Sequence, residues 1–188
     1  MTSSLARLVA RLAGHTRRVI EAGDSCPAAV LVPIVMRSGE PWLVFTQRHA
    51  DLRSHGGQIS FPGGKTDEGD ADPAATARRE ACEELGLLAP AIRVLGVLDD
   101  IATPTGFVIT PVVALVEPPP ATYSPCADEV AEVFELPVER LADPATRKDH
   151  GDIEYQGRTY RVHAYCVDER VIWGATGRIL DQVLAMWG

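Results

Sequence analysis

Gly63 to Leu87 reads GGKTDEGDADPAATARREACEELGL, and its punctuation predicts a helix. Asp72 can cap the first turn, Pro73 suits the first helical position, and Gly86 suits the C-terminal stop. With Glu80 set at 0° and ~100° added per residue, Glu83 falls near about −60° and Glu84 near about +40°. Three carboxylates therefore share one face. Ala74, Ala81, Cys82 and Leu85 fall opposite, where they can pack on a sheet. Like charges at i,i+3 and i,i+4 repel by a few tenths of a kcal/mol per pair. Arg78 and Arg79 can relieve part of that repulsion, and a hard divalent cation would relieve more, because Mg²⁺ prefers oxygen ligands. On spacing alone, a solvated acidic helix face competes with this reading.

Upstream of this helix, Ala28–Arg37 (AAVLVPIVMR) and Trp42–Arg48 (WLVFTQR) read as strands joined by a Ser38-Gly39-Glu40-Pro41 turn. The segment 49–57 is polar, and ISFPGG then reads as a short strand entering a Pro-Gly-Gly turn. Downstream, IRVLGVLDD and FVITPVVALV are further strands. Four prolines make Glu117 to Glu129 an irregular connection. A short strand over Glu132–Leu136, a short helix over Pro137–Leu141 and a hairpin at Tyr155–Arg158 follow. Two amphipathic helices bracket the chain, one carrying Leu5, Leu8, Val9 and Leu12 and the other Ile179, Leu180, Val183, Leu184 and Trp187. Strands interleaved with helices in this way indicate an α/β sheet covered on both faces.

The 188 residues suit a single domain, 1–188, with residues 1–27 as a helical extension. The 18 basic against 26 acidic residues give −8, which argues against nucleic acid as a partner. A small anion stays open, since a divalent metal can reverse the sign of a local site. Cys26, Cys82, Cys126 and Cys166 form no CxxC pair, so reduced, mostly buried thiols are expected. Cys82, on the packing side, is not read as a nucleophile. The N-terminus lacks the apolar run of a signal peptide, and no stretch approaches the ~20 apolar residues that span a bilayer. A cytoplasmic protein with no membrane partner is expected.

The acidic segment resembles the Nudix box, G-x5-E-x7-R-E-U-x-E-E-x-G-U, over residues 64–87. Gly64 opens it, Arg79-Glu80, Glu83-Glu84 and Gly86-Leu87 close it, and Asp70 stands at the first acidic position. Asp70 replaces Glu, lies one residue further from Arg79 than the pattern has it, and Ala81 is small for an aliphatic position. The resemblance implies a Nudix-type α/β/α sandwich with a mixed central sheet. It further implies Mg²⁺ or Mn²⁺ held by Glu80, Glu83, Glu84 and the Gly64 carbonyl, with Arg79 orienting the carboxylates. Glu80 or Glu129 is the candidate general base, Asp128-Glu129 being equally readable as a solvated pair.

Just upstream, VFTQRHADLRSHGGQISFPGG (Val44 to Gly64) is similar to the signature of the coenzyme A pyrophosphatase branch of that family. Thr46, Arg48, Leu52, Arg53, His55, Gly57, Gln58 and Phe61–Gly64 match, while Val44, Phe45 and His49 depart. That branch implies hydrolysis of the diphosphate of coenzyme A or its thioesters. Arg48 and Arg53 would donate forked hydrogen bonds to phosphate oxygens, and His55 and Gln58 would bind substrate or brace the loop. Asp99 and Thr103 would line the cleft or hold a loop. His49, His150 and His163 read as structural or exposed. Another nucleoside diphosphate-linked metabolite such as ADP-ribose, or a noncatalytic nucleotide sensor, are the alternative functions, and a homodimer is implied by resemblance only. Between Lys65 and Leu87 stand seven acids against three bases, half the net charge, where a metal would sit.

Overall fold

The computed structural model describes residues 3–51, 56–155 and 157–188, apart from the side chains of 153, 155, 158 and 160. In chain order the elements are α1 (Ser3–Gly14), β1 (Cys26–Arg37), β2 (Glu40–Arg48), β3 (Ile59–Ser60), β4 (Gly63–Lys65), α2 (Pro73–Leu85), β5 (Ile92–Val97), β6 (Ile101–Ala102) and β7 (Phe107–Val116). They continue with β8 (Val130–Pro137), α3 (Val138–Ala142), β9 (Arg147–Tyr155), β10 (Arg158–Val167), β11 (Arg170–Ile172) and α4 (Gly174–Trp187).

The continuous apolar run of β1 places it at the centre, since a strand buried on both faces has no polar side. It pairs in parallel with β7, from Cys26 opposite Phe107 to Ile34 opposite Leu115. Its other partners, β2 and β4, are antiparallel, so the sheet is mixed, in the order β3-β2-β1-β7-β5. Successive residues of β1 serve opposite layers, as the period of two requires. Ala29, Leu31 and Val35 pack with Ala77, Ala81 and Leu85 of α2. Val32 and Ile34 pack with Leu5, Leu8 and Leu12 of α1 and with Ile179, Leu180 and Val183 of α4. The result is an α/β/α sandwich. The second sheet, β11-β10-β9, lies off this one.

Two features depart from the sequence reading. Pro62-Gly63-Gly64 is not a turn: Gly63 and Gly64 form β4, opposite Val30 and Ala29. The reason is steric, because a Cβ on Gly63 would lie 2.5 Å from the Ala29 carbonyl oxygen and 2.6 Å from Val30 Cα. The Ser38–Pro41 turn shrinks to Ser38-Gly39, with Arg37 opposite Glu40 and Met36 opposite Pro41 in the ladder. After α1 the chain runs as a strap over residues 15–20. Within it, Arg18 N–H and His15 Nε2 bond Asp99 Oδ1 at 2.8 and 3.0 Å. Arg17 grips Asp100.

Asp99 therefore fastens the strap instead of lining a cleft, and Thr103 closes the 103–106 turn by accepting the Phe107 N–H at 3.0 Å. Across the layer, Arg7 and Arg11 of α1 donate to the carbonyls of Gly188 and Ala185 at 3.2 and 3.0 Å. They satisfy acceptors that the end of α4 leaves without intrahelical partners.

Candidate active site

The acidic helix forms as its punctuation predicts. Asp72 is the N-cap, its carboxylate accepting the Ala75 N–H at 2.8 Å, and Pro73 opens the helix. Gly86 ends it with φ 68°, a left-handed conformation that side chains disfavour. Ala77, Ala81 and Leu85 are buried against the sheet, while Ala74 and Cys82 sit at the edge of that face, half-buried. The three carboxylates share the other face but not one environment. Side-chain exposure is 60% for Glu83 and 16% for Glu80, whereas Glu84 as a residue is only 7% exposed.

Arg79 is the hub of this face. Its Nη1 donates to Glu80 Oε1 at 2.8 Å and to Glu83 Oε2 at 3.3 Å. Its Nη2 donates to the Lys65 carbonyl and to Asp70 Oδ2, each at 2.9 Å. One guanidinium thus joins the loop before the helix to two of its acids. The Arg79 hydrogen bond, helped by the Asp67 N–H, pulls the Asp70 carboxyl down to about 2. The unusual spacing between Asp70 and Arg79 therefore keeps the contact.

Glu84 is pushed up to about 7 by burial first and by the Glu80 charge second, against the Gly63 N–H and the Arg48 charge. Burial also raises Glu80, although Arg79 opposes it. The β4 backbone presses on this pair. A Cβ at Gly64 would overlap the Glu80 carboxylate, lying 2.5 Å from its Cδ. Among the described residues, no three His, Cys, Asp or Glu side chains already converge as a metal set; Arg79 draws Glu80 and Glu83 to itself. The donor chemistry nonetheless fits a hard divalent cation, being three carboxylates on one helix face, two of them largely shielded from solvent, beside a backbone that glycine lets approach Glu80. Glu80, Glu83, Glu84 and the Gly64 carbonyl could hold it.

The two glycines separate site from scaffold experimentally. Gly64→Ala should displace the Glu80 carboxylate and cut activity at least tenfold, with a melting temperature close to wild type. Gly63→Ala meets the backbone of β1 at Ala29 and Val30 and should destabilise the protein by about 3 kcal/mol. Thermal melts and initial rates on the purified variants check this, and equal effects on stability would refute it.

Arg48, at the end of β2, faces the helix. Its Nε is buried with no hydrogen-bond partner, and Nη1 lies 3.7 Å from Glu129 Oε2, an ion pair too long for a hydrogen bond. The Glu129 charge in turn raises both Glu80 and Glu84. The proline-bearing connection delivers Glu129 there by being stitched to α2. Ser124 N–H donates to the Leu85 carbonyl at 3.1 Å and Cys126 N–H to the Glu84 carbonyl at 3.3 Å. Tyr123 donates to Glu135 at 2.5 Å, and Arg37 holds both Glu135 and the Pro120 carbonyl.

Of the other substrate candidates, Arg53 and His55 lie outside the described residues. The backbone carbonyl of Gln58 accepts the Arg48 backbone N–H at 3.0 Å. Sequence reasoning missed Arg170, which stacks on Phe134 with its guanidinium carbon 4.1 Å from the ring centre. It donates to Gln47 Oε1 at 2.8 Å and to both oxygens of Glu132. No local pattern around Arg170 signals this, since its partners lie at least 36 positions away.

Compared with known proteins, residues 26–155 match the family model described as NUDIX domain. The chain is 42% identical over 161 residues to a Cronobacter sakazakii protein named "Uncharacterized Nudix hydrolase NudL", covering 86% of this chain and 82% of that one. The Escherichia coli K12 protein of the same name is 40% identical over equal coverage. Among solved structures, a NUDIX hydrolase from Alicyclobacillus acidocaldarius superposes with a TM-score of 0.58 at 18% identity, covering 86% of this chain and 92% of that one. RenU, a Nudix hydrolase from M. smegmatis, superposes with a TM-score of 0.51 at 24% identity, covering 63% and 74%. At these identities the structures speak for the fold alone.

Proposed function

The chain belongs to the Nudix hydrolase family, and from that membership we propose that it hydrolyses the diphosphate of coenzyme A or its thioesters. The reaction adds water across the P–O–P linkage and gives 3′,5′-ADP and 4′-phosphopantetheine, or its acyl form. The observation that carries the reading is Arg48. It stands in the Val44–Gly64 stretch that is similar to the coenzyme A branch, and its Nε has no acceptor although it is buried beside the carboxylate helix. A phosphate oxygen of the substrate would supply that acceptor through a charge-assisted hydrogen bond.

Glu80, Glu83, Glu84 and the Gly64 carbonyl are the proposed ligands of Mg²⁺ or Mn²⁺. When bound, such a cation neutralises nonbridging phosphate oxygens and acidifies the attacking water. Arg79 keeps Glu80 and Glu83 oriented through its bonds to Asp70 and the Lys65 carbonyl and does not touch substrate. Glu129, half-exposed, accepts the proton of the attacking water; Glu80 is the competing base. Arg53, His55 and Gln58 complete the proposed phosphate loop.

The test is a panel of coenzyme A, ADP-ribose, NADH, diadenosine polyphosphates and nucleoside triphosphates, each with Mg²⁺ or Mn²⁺ and with a chelator. Coenzyme A should be cleaved fastest, only with metal, and Arg48→Ala should raise KM at least tenfold. Cleavage of another compound with coenzyme A untouched defeats the substrate assignment.

A further inference from the structure

The sequence leaves His49 without a role, yet it makes three bonds at the junction of two site segments. It follows Arg48, where β2 ends. Its backbone N–H donates to the Glu129 carbonyl at 3.2 Å, and its own carbonyl accepts the Gly57 N–H at 3.3 Å. Its ring Nε2 lies 3.0 Å from the Ala127 carbonyl oxygen. A carbonyl can only accept, so this ring nitrogen carries a proton and donates.

The segment it grips is a tight turn. Glu129 and Val130 N–H both donate to the Cys126 carbonyl, at 3.1 and 2.9 Å, and Cys126 N–H donates to the Glu84 carbonyl. The turn is thus tied at one end to α2 and at the other to His49. Among the described residues, the half-exposed Glu129 side chain has only the 3.7 Å approach of Arg48 to hold it. The position of that carboxylate therefore depends on the backbone of its turn, and the imidazole is the only side chain among the described residues that bonds the Ala127 carbonyl.

We propose that His49 is a positioning residue whose imidazole holds the Ala127–Glu129 turn against the end of β2, setting where the Glu129 carboxylate stands relative to Glu80 and Glu84. This rests on Glu129 acting in hydrolysis, as read above, but one of its readouts needs no substrate. Losing the ring bond loosens the turn at Ala127 while the backbone tie from His49 N–H to the Glu129 carbonyl and the pairing of β2 with β8 and β3, none of which involves the ring, stay in place. A carboxylate misplaced by about 1 Å is enough to slow a reaction that depends on its orientation.

The experiment compares His49→Leu, which fills the space without a donor, with His49→Gln, whose amide N–H can reach the same carbonyl. His49→Met serves as a second variant without a donor should the first not fold. In the full-length protein without substrate, amide hydrogen exchange at Glu129 and Val130 should quicken about tenfold in His49→Leu and stay slow in His49→Gln, with α2 amides unchanged in both. On the substrate that the panel identifies, kcat should fall about tenfold in His49→Leu with KM within about twofold, and His49→Gln should restore most of it. Unchanged exchange in His49→Leu, or His49→Gln behaving like it, overturns the proposal. Faster exchange with unchanged kcat overturns it too, leaving His49 a purely structural tie. If coenzyme A is not cleaved, the substrate reading fails while the exchange result still decides this one.

Discussion

Glu84→Gln should lower kcat at least about a thousandfold while leaving the protein folded, and it should alter how stability responds to pH in the metal-free protein. The catalytic loss follows from chemistry: an amide is a far weaker ligand than a carboxylate for a hard divalent cation. The stability effect follows from burial. The carboxyl of Glu84 is raised from about 4.5 to about 7 by desolvation and by Glu80. Between those values the folded state binds more protons than the unfolded one, so stability falls as pH rises from about 4.5 to about 7. A shift of that size corresponds to a loss on the order of 3 kcal/mol. Gln carries no charge to desolvate, and Glu84→Gln should lose less stability than wild type between pH 5 and pH 8 in a chelator. Thermal melts at the two pH values check the second point and steady-state rates with Mg²⁺ the first. Wild-type rates in the variant would remove Glu84 from the metal site.

Arg17→Ala should destabilise the protein by about 3–5 kcal/mol, the range for stripping one partner from a buried ion pair. For a chain of this length that is a drop of roughly 10 °C in melting temperature. Asp100 is 2% exposed. It accepts from Arg17 Nε and Nη2, each at 2.9 Å, from Thr110 Oγ1 at 2.8 Å and from the Ile20 N–H at 2.9 Å. Without Arg17 its charge has no counterion among the described residues. The double variant Arg17→Ala/Asp100→Asn should recover much of the loss, because Asn keeps an acceptor for the strap without an uncompensated charge. Denaturant midpoints of the two variants test this. A double variant less stable than Arg17→Ala would show that the charge is not the cause.

Much of the chain was legible residue by residue. β7, from Phe107 to Val116, coincides with its apolar run, and α2 begins and ends at its predicted punctuation. β4 was not legible: Pro-Gly-Gly has turn chemistry, and only the flank of β1, far earlier in the chain, makes two glycines a strand. For Asp99 the sequence leaves a cleft role and a loop role open, and the structure gives it and Asp100 the partners His15, Arg17, Arg18 and Ile20. Nothing local distinguishes a carboxylate that binds a strap from one that binds a ligand.

The acidic helix, its caps and its shared carboxylate face are written in the local residue order, because a helix sets angles and ends within a few residues of its own chain. The two-faced sheet is written there for the same reason, since apolar runs and alternation are local patterns. Packing between distant segments makes Glu84 the buried acid and Glu83 the exposed one. It alone lets Arg79 draw two acids and a loop together, and makes Arg48, His49 and Glu129 meet. Those outcomes depend on β4, the 117–129 connection and the end of β2 closing over one helix, and desolvation exists only once distant segments have excluded water.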